Sequence, residues 1–89
     1  MTSLIRIDFA LRWTVPVYVR DRMEVLVPVI GPSAALRFLL SDFLFRHGKK
    51  YFPALTACRL AVRCKTAPAH ARLCFVDAYV EYMEMRAKR

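Results

Sequence analysis

The chain has 89 residues, of which 15 are Lys or Arg and seven are Asp or Glu, so its formal charge is +8. This length allows one domain with one core. The longest charge-free run, residues 25–36, spans twelve residues and is too short to cross a bilayer, which needs about 20 apolar residues. We therefore expect a cytoplasmic protein. The hydrophobic fraction of 57% exceeds the usual value of about 45–50% and favours a homodimer.

Two segments near the N-terminus show the alternation of a strand with one buried face. Hydrophobic residues occupy every odd position in 5–19 and again in 23–29, and this period of two predicts an antiparallel hairpin. Opposite residues of such a pair share a face. A three-residue loop at 20–22, with Val19 opposite Met23, keeps the odd-numbered face buried, so we expect a loop of odd length.

Residues 1–12 are predicted to be an N-terminal arm or an extra strand that precedes a single domain at 13–89. The segment 4–11 continues the alternation, but no turn residue joins it to the strand that follows. The pattern leaves open whether this segment extends the first strand, pairs with another subunit or remains a loose arm.

Apolar residues at helical spacing predict three helices after the hairpin. The first is expected to begin after Gly31-Pro32 with Ser33 as its N-cap, and to run to about His47. Gly48 then fits the left-handed position that follows the end of a helix.

The second helix is predicted to begin near Phe52, and the third to follow a Thr66 cap and run to about Ala87. The third helix is unusually apolar, which indicates that it is central or packs against a partner subunit as well as its own core. It carries two apolar stripes, one with Leu73, Val76, Val80 and Met83, and one with Ala71, Phe75, Ala78 and Tyr82. The predicted fold is α+β with the order ββααα, a two-stranded antiparallel hairpin packed on three helices.

Several short blocks occur in order along the chain: Trp13 with Pro16-Val17, Ala35 with Leu39-Leu40 and Phe43, Ala57-Cys58, and Ala71-Arg72 with Phe75 and Ala78. From Trp13 onward the chain resembles a family of short alphaproteobacterial proteins known as domain of unknown function 982. The resemblance implies a small bacterial protein with the ββααα order, and it brings no activity, cofactor or catalytic residue. It would also place Trp-Pro where Phe43-Leu44 stands, and a glycine where Cys64 or Lys65 stands.

The titratable residues do not form a recognisable catalytic or metal-binding motif, so we expect no enzyme, no cofactor and no metal site. His70 and Cys74 are the one Cys/His pair that a helix brings together, and a buried cysteine explains Cys74 more simply. Asp77, Glu81 and Glu84 fit a solvated helix face.

Residues 43–76 contain no carboxylate but seven basic residues: Arg46, Lys49, Lys50, Arg59, Arg63, Lys65 and Arg72. Such a cluster attracts phosphates or acidic proteins. Our main hypothesis is a non-catalytic protein-interaction or regulatory module, with an acidic protein among its possible partners. The alternative is a nucleic-acid-binding accessory protein that uses these seven residues, in which charge reversal at Arg59 and Arg63 would abolish binding.

Overall fold

A computed structural model describes residues 12–43 and 46–88. Its elements are β1 (Val17–Arg20), β2 (Leu26–Val29), α1 (Pro32–Ser41), α2 (Tyr51–Val62) and α3 (Pro68–Ala87). The two strands are antiparallel and three helices follow them, which confirms the predicted α+β order. Apart from Arg12, the predicted N-terminal arm lies outside the described residues.

The hairpin has an odd-length connection, as predicted, but a different register. Five residues, 21–25, separate the strands, and Val19 lies opposite Val27, so the predicted pairing of Val19 with Met23 is wrong. Parity is preserved because the shift is an even number of residues. Met23 is 80% exposed in the turn. The inward-facing residues of the two strands are Val17, Val19, Val27 and Val29.

Asp21 explains the longer turn. Its Oδ1 accepts the backbone N–H groups of Met23 and Val25 at 2.9 and 3.0 Å. The backbone N–H of Asp21 also donates to the carbonyl of Val25 at 3.0 Å. This local bonding by an Asp side chain stabilises a wider turn than the strand pattern alone suggests.

Helix α1 begins two residues earlier than predicted. Pro32 is its first residue and the carbonyl of Gly31 accepts the N–H of Ala35 at 2.9 Å, so the N-cap is Gly31 and not Ser33. Proline suits the first helical position because its backbone has no N–H to leave unpaired. The same arrangement begins α3, where Ala67 precedes Pro68, so the Thr66 cap is also wrong.

Helix α1 ends at Ser41, six residues before the predicted end near His47. The guanidinium group of Arg46 folds back and donates to the carbonyls of Leu40 and Phe43 at 2.7 and 3.2 Å. These bonds satisfy carbonyls that a continuing helix would otherwise pair. No glycine in the described residues has a positive φ, so the left-handed role expected for Gly48 is also wrong.

The core lies where the hairpin and the three helices meet. Of the two apolar stripes on α3, the one with Ala71, Phe75, Ala78 and Tyr82 is buried. The other stripe is largely outside the core, with Leu73 63% and Val80 47% exposed. Several contacts tie α3 to the hairpin region; among them, Trp13 Nε1 donates to the carbonyl of Pro68 at 2.9 Å, and the Tyr79 hydroxyl accepts the N–H of Arg20 at 3.0 Å.

Candidate nucleic-acid interface

The start of α1 lies beside the end of α2. Val62 lines an open cleft of about 250 Å³ together with the first turn of α1, Arg12 and Arg37. This contact shows that α1 and α2 run in opposite directions. It also brings together two arginines that are 25 residues apart in the sequence.

The start of α3 lies at the same end of the molecule. A second cleft is lined by Pro68 and Ala69 of the first turn of α3, together with Arg12 and Arg72. Arg12 therefore borders both clefts. The short connection 63–67 joins the end of α2 to the start of α3, so its basic residues belong to this end too. We call this surface the basic end; its residues are Arg12, Arg37, Arg59, Arg63, Lys65 and Arg72.

The described residues place no carboxylate at the basic end. Asp77 is the acidic residue of α3 closest to its start, and nine residues at about 1.5 Å each put it about 14 Å along the helix. Glu24 of the hairpin turn pairs at 3.0 Å with Arg86, near the far end of α3. Among the described residues, the six cations therefore contribute a formal charge of +6 to this end. The first turns of α1 and α3 add partial positive charge, and the last turn of α2 opposes it.

The structure divides the seven basic residues of the predicted site. Arg59, Arg63, Lys65 and Arg72 lie at the basic end, whereas Arg46, Lys49 and Lys50 lie between α1 and α2 at the opposite end. Lys50 and Arg59, the nearest members of the two groups, are nine positions apart, which corresponds to about 14 Å along α2 at about 1.5 Å per residue.

The second group has a different electrostatic setting. The carboxylate of Glu81 accepts the backbone N–H groups of Lys49 and Lys50 at 3.2 and 3.0 Å. Asp77 and Glu84 line the same small cleft as Lys50 and Glu81. Lys50 therefore lies beside three carboxylates and Lys49 beside one of them, and the Arg46 side chain caps the end of α1. This group is therefore a poor surface for a phosphate backbone.

Sequence reasoning missed Arg12 and Arg37. Both lie outside the acid-free span of 43–76, so a search for a run of bases does not find them. A weak signal was present, because Arg37 lies one turn after the predicted start of α1, on its exposed side. These two arginines belong to the basic end because they lie close to it in the folded chain, although they are distant from its other residues in the sequence.

A separate group between α2 and α3 consists of Cys58, His70 and Cys74. His70 Nε2 lies 3.7 Å from Cys74 Sγ, as expected for residues one turn apart. Burial, and to a smaller extent the nearby Cys74, raise the pKa of Cys58 to about 12, so Cys58 remains a thiol. Within 12–43 and 46–88, no three His, Cys, Asp or Glu residues are grouped to hold a metal ion.

Across the same described ranges, every helix is too short or too polar to cross a membrane.

A family model with the description "Protein of unknown function (DUF982)" matches residues 15–83. No curated protein and no solved structure matches the chain. The matched region contains both strands, α1, α2 and most of α3, and so includes the greater part of the basic end.

Proposed function

Since the chain belongs to the DUF982 family, whose description names no activity, we propose a function from its surface: a small non-catalytic module that binds nucleic acid through the basic end. The observation that supports this proposal is the convergence of six cations, with no described carboxylate among them. Lys and Arg side chains grouped in this way attract the phosphate backbone.

The individual side chains are suited to phosphate contacts. Arg37, Arg59, Arg63 and Lys65 are exposed, and none has a side-chain bond among the described residues. Arg72 donates its Nε to the carbonyl of Val15 at 3.1 Å, which orients the guanidinium group and leaves its two terminal nitrogens for a ligand.

The layout favours an extended polyanion over a single small phosphate. The cations are spread over three helices and their connections, and the clefts between them are open. Contacts of this kind hold the backbone and do not read bases. We therefore expect binding that is independent of sequence and that weakens with salt, with a slope of log K against log salt of about −4.5 if the five cations other than Arg12 contact phosphates.

The test compares two pairs of neutral substitutions with the same net charge. Arg59→Gln with Arg63→Gln changes the basic end, and Lys49→Gln with Lys50→Gln changes the opposite end; either pair lowers the formal charge from +8 to +6, since two cations are removed. Binding to random duplex DNA and to single-stranded RNA is measured by fluorescence anisotropy at about 50 and about 200 mM salt. We expect the arginine pair to weaken binding about tenfold and to reduce the salt slope by about 2, and the lysine pair to change the affinity by less than about threefold.

Two results would contradict the proposal. Equal losses in both variants would mean that net charge, and not the basic end, attracts the nucleic acid. No binding by the unsubstituted protein at low salt would remove the function altogether. Because all four side chains are exposed, each variant should keep its unfolding free energy within about 0.5 kcal/mol, and chemical denaturation checks that the folds are comparable.

A second function, a protein-interaction module, is favoured by a different observation. Helix α3 keeps Leu73 63% and Val80 47% exposed, on the face opposite the core. Exposed apolar side chains in a row on one helix are typical of a surface that a partner covers.

A further inference from the structure

The outer face of α3 has the spacing of a helix that pairs with another helix. Its apolar residues are separated alternately by four and three positions, which is the heptad pattern of a coiled coil. Within a heptad these residues occupy the two positions, a and d, that face a partner helix. We call this line the α3 seam; it consists of Ala69, Leu73, Val76, Val80, Met83 and Ala87.

Most of the α3 seam is free within the monomer. Ala69, Leu73, Val80 and Ala87 are exposed, and Val76 and Met83 are half-buried. The core uses the opposite face of the helix, so the seam is a second apolar face, of which Met83 alone packs against the core in the described chain. Since α3 has 20 residues, the seam extends over almost three heptads.

Charges flank the seam on both sides, with a different sign on each side. One flank contains Asp77 and Glu84 with His70, and the other contains Arg72 and Arg86 with Tyr79. The apolar surface is therefore a narrow line bounded directly by polar groups. Such a line matches a single partner helix better than the broader contact that each helix makes in a larger bundle.

The flanks also select the direction of the partner. In a parallel pair, each flank faces the opposite flank of the partner, so Arg72 lies near Asp77 of the second copy and Tyr79 near Glu84 of the second copy. In an antiparallel pair each flank faces itself, which would place Asp77 near Asp77 and arginines near arginines. Charge complementarity favours the parallel arrangement.

We propose that a second copy of this chain packs its α3 seam against the first in parallel, which forms a two-fold dimer. This inference names the partner for the interaction-module function and does not depend on nucleic-acid binding. One consequence follows from the direction alone. Because α3 begins at the basic end, a parallel dimer places both basic ends on the same side and doubles the surface available to a polyanion.

The first experiment measures association by sedimentation equilibrium. Leu73→Glu places a charge in the seam, and Phe52→Glu on α2 is the matched control, because both side chains are 63% exposed. We expect the unsubstituted protein to be dimeric, Leu73→Glu to weaken association at least about 100-fold, and Phe52→Glu to leave it unchanged. Circular dichroism confirms that both variants are folded.

Three results of that experiment would overturn the proposal. They are a monomeric unsubstituted protein at about 100 μM, a Leu73→Glu variant that associates as well as the unsubstituted protein, and an equal loss in both variants. A trimer or tetramer would overturn the two-fold arrangement.

The second experiment determines the direction of the helices. Ala69→Cys is prepared with Cys64→Ala and Cys74→Ala, so that the new thiol is the exposed one, and is oxidised alone or mixed with the equivalent Ala87→Cys protein. A parallel seam places the two copies of position 69 side by side and predicts a disulfide in the Ala69→Cys protein alone. Mixed 69–87 disulfides, or no disulfide in a protein that is still dimeric, would overturn the parallel seam.

Two variants distinguish a failure of the proposed dimer from a failure of the proposed nucleic-acid binding. The variant with Arg59→Gln and Arg63→Gln should remain dimeric while its affinity for nucleic acid falls about tenfold. Leu73→Glu should be monomeric and retain binding with a smaller salt slope. A dimer that binds no nucleic acid would leave the seam intact and remove only the proposed function.

Discussion

Cys64 occupies a backbone position at which glycine is favoured. It has a φ of 61° directly after the last turn of α2. Its N–H donates to the carbonyl of Ala61 at 2.9 Å, and the N–H of Lys65 donates to the carbonyl of Leu60 at 2.8 Å, which is the Schellman pattern of a helix end. Glycine is the usual residue there. The resemblance to the family implied a glycine at Cys64 or Lys65, and the geometry shows why the position at 64 calls for one.

We expect Cys64→Gly to increase the unfolding free energy by about 0.5–1 kcal/mol. A side chain in the left-handed conformation costs about 1–2 kcal/mol, and the greater freedom of glycine in the unfolded chain offsets part of the gain. Urea denaturation measures the change, and Cys64→Ala, which keeps a Cβ, should lie within about 0.5 kcal/mol of the starting protein. A loss of stability in Cys64→Gly would mean that the thiol itself stabilises this turn.

At the scale of elements, Glu81 connects α3 to the start of α2. Its carboxylate accepts two backbone N–H groups from Lys49 and Lys50, at the positively charged end of the helix dipole of α2. None of the residues at the start of α2 provides a side-chain cap. A residue from another helix therefore supplies the anion that sequences usually place at the N-cap.

We expect Glu81→Ala to reduce the unfolding free energy by about 1 kcal/mol, the usual effect of losing an N-cap. The matched control is Glu84→Ala, one turn further along α3, whose exposed carboxylate bonds no backbone amide in the described chain; it should change stability by less than about 0.5 kcal/mol. Both are compared by urea denaturation. Equal effects would indicate that loss of charge on α3, and not the bond to α2, is responsible.

The two edges of the hairpin have few free backbone N–H groups. In an antiparallel pair, the backbone groups of every second residue point away from the partner strand. Arg20 on β1 and Pro28 on β2 are residues of this kind. The Tyr79 hydroxyl accepts the N–H of Arg20, and proline has no N–H to offer. Each edge therefore keeps one outward N–H, that of Tyr18 or of Leu26, and presents no continuous row of donors to another strand.

At the scale of the whole molecule, charge is segregated along the helices. The basic end carries six cations, and the described carboxylates lie in the turn of the hairpin, at the end of α1 and along the later part of α3. An electrostatic field of this shape orients a polyanion towards one end. The dimer proposed above would place two such ends together, so the two proposals are independent in their tests and compatible in their geometry.

The stability of the whole fold should depend on alkaline pH through Cys58. Its pKa is raised from 9.0 to about 12 by burial and then by Cys74. The folded chain keeps this proton while the unfolded chain releases it, so the contribution to stability is complete below pH 9 and decreases as pH rises towards 12. In that window the unfolding free energy should fall by up to about 1.4 kcal/mol per pH unit from this group.

We expect Cys58→Ala to reduce that slope, because alanine does not titrate. Urea denaturation at about pH 8 and about pH 10.5 measures it, and Cys64→Ala, at an exposed thiol, is the control that should keep the slope. An unchanged slope in Cys58→Ala would show that Cys58 does not cause the alkaline loss.

Particular residues show how far the sequence could predict this protein. The hairpin and the second helix follow from spacing within a few residues, and both are confirmed. The end of α1 was predicted too late because Arg46 caps carbonyls up to six residues earlier, and the register was wrong because Asp21 bonds the amides of its own turn. Such side-chain bonds leave no periodic signal.

The sequence by itself determined the order ββααα, the parity of the hairpin loop and the two apolar stripes of α3, because alternation and helical spacing are local properties of the chain. Only the tertiary structure decided which stripe is buried and which bases share a surface. Arg12 and Arg37 join Arg63 because α1 and α2 are antiparallel, and Lys50 is separated from Arg63 because a whole helix lies between them. Which groups become neighbours depends on how the elements pack, and packing is not a local property.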